Sequence, residues 1–336
     1  MSRIAVIGAG AWGTTLSIVL TRGGRHQVKL WAYEPEVSES IQARRTNDLF
    51  LPRVRIPEAV EVTTDLGSAV RATAFVLSVM PSQHARTLFE QMAGHIGSDS
   101  VVVSATKGIE NGTLKRMTEL AGEAMLAISG VRPSICALSG PSFAQEAARG
   151  DPTAVTVAAT DQQVAALVQR EFSDPRFRVY TSDDVTGVEL GGALKNVIAI
   201  AAGIVEGLNF GHNTAAALIT RGLAEITRLA VACGARRETL SGLSGMGDLV
   251  LTCTGGLSRN RTVGVELGRG RKLRDIMAGM HGMVAEGVLT TNAALGLAKR
   301  YGMEMPITEQ MYAILHEEKS PQDAIRELMS RPGKEE

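Results

Sequence analysis

The sequence lacks an excess of charge of either sign, because 35 lysine and arginine residues balance 35 aspartate and glutamate residues among its 336 positions. A balanced protein has no general field that attracts nucleic acid or an anionic membrane surface. Nucleic acid is therefore not an expected partner, and an anionic ligand has to be bound by local charge. The hydrophobic share of 44% and the charged share of 21% are typical of a soluble globular protein.

Cysteine and long apolar runs are also scarce. The three cysteines, Cys136, Cys233 and Cys253, are far apart and form no CxxC pair. This pattern argues against a disulfide framework and a zinc site, and it favours a reducing compartment. No uninterrupted run approaches the ~18 apolar residues of a membrane span, and the N-terminal apolar run is short for a signal peptide. We expect a cytoplasmic protein that binds no metal and is not embedded in a membrane.

The N-terminal part carries a glycine-rich motif that is typical of dinucleotide binding. A short strand is expected over Arg3–Ile7, and it leads directly into Gly8-Ala-Gly-Ala-Trp-Gly13. In such a loop Gly8 would make the tight turn, Gly10 would let the backbone approach a pyrophosphate, and Gly13 would let the following helix pack closely. The pyrophosphate then lies at the N-terminus of that helix. Trp12 either packs in the interior or shields the cofactor, and both interpretations stay open.

The segment after the second predicted strand, residues 28–31, bears on the choice of cofactor. Glu34 lies about 20 residues beyond the glycine motif, where an acid binds ribose hydroxyls and disfavours a 2′-phosphate. Four arginines further on could weaken that preference: Arg44, Arg45, Arg53 and Arg55. The expected cofactor is therefore NAD or NADP, with NAD favoured.

The rest of the chain alternates between strands and helices and then becomes helical. Apolar runs predict strands at 73–79, 100–105, 135–139, 153–158 and 177–180, with helices at 113–125 and 161–172. Long helices are predicted at 194–208 and 214–233. This order predicts an α/β protein with a Rossmann-type doubly wound parallel sheet, followed by a mostly α-helical C-terminal domain. We place the domains at residues 1–180 and 181–330. Ligands of such sheets bind beyond the carboxyl ends of the strands.

Two lysines are candidates for chemistry. Lys195 lies in an otherwise apolar helix, where burial would make its ammonium easier to deprotonate and so allow it to exchange a proton with a substrate oxygen. The alternative is a lysine whose ammonium reaches solvent from a helix end. Lys107 directly follows a predicted strand, so it either binds the substrate as a cation or is a solvated loop lysine.

Three further clusters lie in the predicted helical domain. Asp248 follows a glycine-rich turn, and it either takes part in the site or only caps a helix. The segment Ser258-Arg-Asn-Arg261 combines guanidinium, amide and hydroxyl groups, which suit a phosphate or carboxylate, although a solvated basic turn has the same composition. Spacing alone gives no role to Val284-Ala-Glu-Gly287.

Six ordered motifs together resemble the NAD(P)-dependent sn-glycerol-3-phosphate dehydrogenases of the bacterial type. The motifs are Gly8–Thr14, Ala105–Gly108, Leu138–Ala144, Gly191–Asn196, Gly245–Leu249 and Ser258–Asn260. The resemblance implies reversible reduction of dihydroxyacetone phosphate to sn-glycerol 3-phosphate, which supplies the backbone of phospholipids. A β-hydroxyacid or 6-phosphogluconate dehydrogenase is the alternative. Small residues in the 214–233 helix would suit packing within the subunit or against a second copy, so a homodimer is a candidate assembly.

The resemblance also implies roles for individual residues. Lys195 corresponds to the group that exchanges the proton, with Lys107 and Asp248 beside it. The positions that match substrate contacts are Lys107, Gly140, Ser142, Lys195, Asp248, Ser258, Arg259 and Asn260. The positions that match cofactor contacts, in addition to Gly8, Gly10 and Gly13, are Ala11, Trp12, Lys107, Ala144, Arg259, Val284 and Glu286. Tyr33 and Glu34 stand where the family varies, and they are expected to contact the cofactor.

Overall fold

The computed structural model describes residues 1–280, 284–333 and 335. Its strands are β1 Ser2–Ile7, β2 His26–Trp31, β3 Thr46–Asn47, β4 Leu51–Arg55, β5 Val60–Thr63, β6 Phe75–Ser78, β7 Val101–Ser104, β8 Ser134–Ser139, β9 Thr153–Ala158 and β10 Phe177–Ser182. The main sheet has eight strands in the order β10-β9-β8-β7-β6-β1-β2-β5. A separate hairpin pairs β3 with β4.

The helices of the first half cover the sheet, and those of the second half form a bundle. The first seven are α1 Ala11–Thr21, α2 Pro35–Arg44, α3 Leu66–Val70, α4 Ala85–Ala93, α5 Met117–Ser129, α6 Ala144–Arg149 and α7 Gln162–Phe172. The remainder are α8 Val185–Gly207, α9 His212–Ala232, α10 Arg237–Leu240, α11 Asp248–Thr254, α12 Arg259–Gly268, α13 Leu273–Ala278, α14 Glu286–Tyr301, α15 Pro306–His316 and α16 Pro321–Met329. The predicted fold, a Rossmann-type sheet followed by a mostly helical region, is confirmed.

Six strands of the main sheet run parallel, and their carboxyl ends create one continuous edge. Strands β5, β2, β1, β6, β7 and β8 pair in parallel, whereas β8 and β9 pair antiparallel and β10 follows β9. This reversal at the β8–β9 step was not predicted from the sequence. The loops that follow β1, β6, β7 and β8 therefore lie next to one another, which is where a ligand of a parallel sheet binds.

Helix α8 is the central helix of the bundle, and it begins nine residues before the predicted position of 194. Its residues from Gly187 to Val205 are buried. Two glycines near its start do not interrupt it, because they provide room for close packing. A Cβ on Gly191 would lie 2.6 Å from the Ser244 carbonyl oxygen, and one on Gly192 would lie 2.4 Å from Ser139 Oγ. The prediction missed this because glycine in a helix is also typical of a helix end.

Two other observations concern the helices. The helix predicted at 113–125 begins at Met117 and ends at Ser129, because residues 109 and 116 pair as an isolated bridge that closes a turn. Among the described residues, only Val185–Gly207 is long and apolar enough to cross a membrane by composition, and its apolar window is wholly buried within the protein. The core of the helical bundle accounts for its hydrophobicity.

Candidate active site

The loop between β1 and α1 has the geometry of a dinucleotide cradle. Gly8 has a φ of 115°, and a Cβ there would lie 2.8 Å from the Val79 carbonyl oxygen. A Cβ on Gly13 would lie 1.9 Å from the Gly8 carbonyl oxygen, so the helix packs directly on the loop. At Gly10 a Cβ would meet no described atom within 4 Å, which leaves the outer side of the loop open. No described side chain caps the start of α1, so its N-terminus offers N–H groups to an anion.

Trp12 fits both interpretations that the sequence left open. Its ring packs on Phe177, with 6.4 Å between centroids. Its indole Nε1–H is buried and has no hydrogen-bond partner among the residues that the structure describes. A buried donor without a partner is uncommon. The residues of the cradle thus fit a dinucleotide, which would supply acceptors at the loop.

The residues that follow β2 lie at a neighbouring strand end. Tyr33 is exposed and its ring meets Trp31 edge-on, whereas Glu34 is half-buried and directly precedes α2. Three of the four nearby arginines have partners within the protein. Arg44 pairs with Asp48, Arg45 donates to backbone carbonyls of residues 56 and 60, and Arg55 pairs with Glu58. These contacts reduce the influence of the arginines on cofactor choice.

Two lysines and one aspartate form the centre of the site. Asp248 is 1% exposed, and its Oδ1 lies 2.5 Å from Lys195 Nζ while its Oδ2 lies 2.6 Å from Lys107 Nζ. Lys107 Nζ also donates to the Gly140 carbonyl oxygen at 3.1 Å. The carboxylate faces the lysines rather than the backbone at the start of α11, so the interpretation of Asp248 as a helix cap is wrong. Lys195 lies within α8 and is 6% exposed, so it does not reach solvent from a helix end.

The local sequence explains how these side chains meet. The loops after β7 and β8 carry Lys107 and Gly140, and α8 approaches them closely because Gly192 has no side chain to hold it away. A π-helical turn over Leu243–Gly247 leads into α11 and points Asp248 at α8. A Cβ on Gly245 would lie 2.0 Å from the Leu240 carbonyl oxygen, so this turn requires glycine.

Burial changes the acidity of Lys195. Desolvation lowers its pKa from 10.5 to about 8, and the positive charge of Lys107 acts in the same direction. The carboxylate of Asp248 opposes this shift by charge and by hydrogen bonding. A lysine with a pKa near neutrality can both release and accept a proton under physiological conditions. The cluster therefore has the properties of a general acid–base group.

Three further residues, for which no individual role was predicted from the sequence, lie in or near this network. Thr252 Oγ1 lies 2.8 Å from Lys195 Nζ, and it is one helical turn after Asp248, a spacing that could have indicated a shared face. Asn196 Nδ2 donates to the Lys107 carbonyl oxygen at 3.5 Å and its Oδ1 accepts from Asn260 Nδ2 at 3.0 Å. Ser82, in the loop after β6, binds Glu286, as described next.

Glu286 links the helical region to the strand edge. Its Oε1 accepts from the Ser82 backbone N–H at 2.9 Å, and its Oε2 accepts from Ser82 Oγ at 2.5 Å. Burial raises the pKa of Glu286, while Ser82 and the charge of Arg259 act against that shift. Val284 is half-buried two residues before, and Arg259 is exposed. Glu286, Arg259 and the loop after β6 are therefore close together.

The remaining predicted residues surround this centre. Ser142 Oγ donates to the Gly140 carbonyl oxygen at 2.9 Å, and the Ala144 carbonyl oxygen accepts from Thr15 Oγ1 at 2.9 Å. Ser258 is buried and accepts from the Arg261 N–H, so it caps α12. Asn260 is buried, and its Oδ1 accepts from the Gly287 N–H at 2.9 Å.

A cradle for a dinucleotide beside a buried lysine with a lowered pKa is typical of a nicotinamide-dependent dehydrogenase with a Rossmann sheet and a helical second region. The family models for the N-terminus and C-terminus of NAD-dependent glycerol-3-phosphate dehydrogenase match residues 3–165 and 184–326. The chain belongs to this family.

Individual relatives cover nearly the whole chain. It is 68% identical to the glycerol-3-phosphate dehydrogenase [NAD(P)+] of Koribacter versatilis, over 99% of this chain and 98% of that one. It is 55% identical to the enzyme of the same name from Acidobacterium capsulatum, with 100% of both chains covered. The crystal structure of glycerol-3-phosphate dehydrogenase from Coxiella burnetii has a TM-score of 0.93 at 39% identity and covers 98% of this chain and 99% of that one. Dependence on NAD or NADP is thereby supported, without a preference between them.

Proposed function

We propose that this protein reduces dihydroxyacetone phosphate reversibly to sn-glycerol 3-phosphate with NADH or NADPH. The observation that carries the proposal is the buried Lys195–Asp248–Lys107 cluster at the edge of the sheet next to the glycine loop. The product would serve glycerophospholipid synthesis. Membership of the glycerol-3-phosphate dehydrogenase family supports this substrate over a β-hydroxyacid or 6-phosphogluconate.

The chemistry of the reduction divides between cofactor and protein. When bound, the nicotinamide supplies a hydride to the ketone carbon. Lys195 donates its Nζ proton to the carbonyl oxygen as negative charge develops there, and the ketone becomes a secondary alcohol. In the oxidation the neutral Lys195 amine accepts that proton. Lys195 Nζ lies 2.5 Å from Asp248 Oδ1 and 2.8 Å from Thr252 Oγ1. These two contacts hold the Lys195 ammonium in one orientation towards the substrate oxygen.

The polar groups around Lys195 would bind the substrate. Lys107 is less buried than Lys195, with 18% of its side chain exposed against 7%, so its ammonium is available to a substrate oxygen. Gly140 and Ser142 border Lys107 on the strand edge. Arg259, with Ser258 and Asn260 beside it at the start of α12, would bind the phosphate, because a guanidinium and helix N–H groups both favour an anion.

The cofactor would lie along the strand edge. Its pyrophosphate would bind at Gly8, Gly10, Ala11, Trp12 and Gly13. The adenosine end would lie at Tyr33 and Glu34, where the carboxylate favours NAD. The nicotinamide end would lie near Lys107, Ala144, Arg259, Val284 and Glu286.

Further parts of the proposal concern the whole molecule. The domain boundary near residue 180 is supported by the change from sheet to helices after β10. A homodimer is supported by the N-terminal half of α9, whose alanines at 216 and 217 are exposed beside the exposed Phe210. A cytoplasmic location is the last part of the proposal; among the described residues, the one helix long and apolar enough to cross a membrane is buried within the protein.

The decisive experiment follows the loss of NADH and NADPH absorbance when the purified protein meets dihydroxyacetone phosphate. Wild type should oxidise reduced cofactor, and Lys195→Ala should not. Lys299→Ala is the matched control, because Lys299 is an exposed lysine on α14. A folded wild-type protein that binds NADH but oxidises neither cofactor would contradict the substrate assignment. Hydroxyacids should then be tested as substrates.

A further inference from the structure

We propose that Asn47 is a positioning residue for the dinucleotide, because its side chain holds the glycine-rich loop in the conformation that receives the pyrophosphate. The inference rests on the proposed function, since it assumes that the loop binds a nicotinamide dinucleotide. Asn47 lies on β3, 33 positions after Thr14 in the sequence, and it is completely buried. Its Nδ2 donates to the Ala9 carbonyl oxygen at 2.7 Å and to Thr14 Oγ1 at 2.9 Å.

The bond to Ala9 determines where the next amide points. The Ala9 carbonyl and the Gly10 N–H belong to one trans peptide unit, so they point in opposite directions. Because Asn47 holds the carbonyl on the buried side, the Gly10 N–H faces the other side of the loop. That is the open side, where a Cβ on Gly10 would meet no described atom within 4 Å. Asn47 therefore orients a hydrogen-bond donor towards the space for the pyrophosphate.

Asparagine suits this position because its amide has two N–H donors and one acceptor. The two donors bind Ala9 and Thr14, and Oδ1 accepts from the Phe50 N–H at 3.1 Å. Thr14 Oγ1 in turn donates to the Ala9 carbonyl at 3.2 Å. An aspartate of the same shape would present an oxygen to the Ala9 carbonyl, and an alanine would present nothing.

The hairpin that carries Asn47 is itself firmly attached. Ser40 Oγ on α2 donates to the Thr46 carbonyl oxygen at 2.8 Å. The Arg45 guanidinium donates to the Val60 carbonyl oxygen at 2.8 Å, and the Ile56 N–H donates to the Arg45 carbonyl oxygen at 2.8 Å. Asn47 therefore connects the glycine loop to the hydrogen-bonded α2–β5 region.

The test measures NADH binding by fluorescence titration of the full-length protein without substrate, for wild type, Asn47→Ala and Asn47→Asp. Loss of hydrogen bonds of this kind should weaken NADH binding about tenfold or more. At saturating NADH, kcat and the KM for dihydroxyacetone phosphate should change little. Ser100→Ala is the matched control, because it removes a buried hydroxyl that donates to the Thr73 carbonyl at 2.7 Å, away from the loop. It should lower Tm without changing NADH affinity.

Wild-type NADH affinity in Asn47→Ala, together with a lowered Tm as in Ser100→Ala, would overturn the inference and leave Asn47 a purely structural role. If Asn47→Ala does not fold, Asn47→Asp decides, because it preserves the volume, and unchanged NADH affinity there would equally overturn the inference. Intact NADH binding without reduction of dihydroxyacetone phosphate would contradict the proposed function only. Failure of wild type to bind NADH would contradict both.

Discussion

The protonation state of Lys195 should decide how the rate depends on pH in each direction. Burial lowers the pKa of Lys195 from 10.5 to about 8. Reduction requires the ammonium as proton donor, so its kcat/KM should be high below about pH 8 and fall above it. Oxidation requires the neutral amine, so its kcat/KM should rise through the same pH. The two profiles should therefore be mirror images with a common inflection.

The magnitude follows from the position of that pKa. A lysine with a pKa of about 8 is about 90% protonated at pH 7 and about 10% protonated at pH 9, so kcat/KM for reduction should fall roughly tenfold between them. A lysine that kept its ordinary pKa of 10.5 would change little over this range. Initial rates from absorbance at constant ionic strength, over about pH 6 to about pH 10, measure the inflection.

The neighbours of Lys195 provide a sharper test, because they act on its pKa in opposite directions. Asp248 raises it, so Asp248→Asn should move the inflection to lower pH. Lys107 lowers it, so Lys107→Met should move the inflection to higher pH. Both variants will also lose activity, but the position of the inflection is independent of the amplitude.

Two results would refute this reasoning. An inflection at the same pH in both variants would show that another group titrates, and shifts in the same direction would show that the pair does not act by charge. The substrate phosphate, with a second pKa of about 6, should contribute equally to every variant and serves as the internal reference. Lys195→Arg should abolish the inflection near 8, since a guanidinium stays protonated throughout the range.

Three further predictions concern other parts of the structure. Lys195→Ala should lower kcat by about 10²–10⁴-fold in either direction, and leave NADH affinity nearly unchanged in a fluorescence titration. Glu34→Arg should raise the ratio of kcat/KM for NADPH to that for NADH by about tenfold, because it replaces a repulsive charge with one that binds a 2′-phosphate; an unchanged ratio would remove Glu34 from the cofactor site. Glu189→Ala should lower the free energy of unfolding by about 3–5 kcal/mol, measured by urea titration, because it leaves Arg116 and the Thr118 N–H without their buried partner. Glu119→Ala is the control. It removes an exposed partner of Arg116 and should lower the free energy of unfolding by about 1 kcal/mol or less.

The sequence was sufficient for the order of the elements but not for their ends or directions. Apolar β-branched runs separated by helical patterns identified β1, β6, β7 and β8, since strands covered on both faces must be apolar throughout. The reversal of β9 was not predictable, because the direction of a strand depends on the path of the connection and not on its own composition. The early start of α8 was missed because close packing, which only the folded structure shows, offsets the usual cost of Gly191 and Gly192.

The candidate site divides in the same way. Lys195 was identifiable from the sequence alone, because a charged side chain within an apolar helix is costly to bury without a partner or a chemical role. Thr252 and Asn47 were not singled out, and Asn196 appeared only as part of a motif, because a threonine or asparagine has no such conspicuous cost until its partners are known. Each makes a hydrogen bond to a residue far away in the sequence. Thr252 binds Lys195, Asn196 binds the Lys107 carbonyl oxygen, and Asn47 binds the Ala9 carbonyl oxygen.

The position of Asp248 between two lysines explains why the site needs both. A single buried lysine without a partner would lose its proton and be useless for reduction. The Asp248 carboxylate raises the pKa of Lys195 again. Lys107 binds the other oxygen of the same carboxylate, and its positive charge lowers the pKa of Lys195, so the rise is only partial. In the proposed mechanism the more exposed Lys107 would therefore have two effects: it would offer an ammonium to the substrate, and its charge would keep the pKa of Lys195 at a value where the reaction can run in both directions.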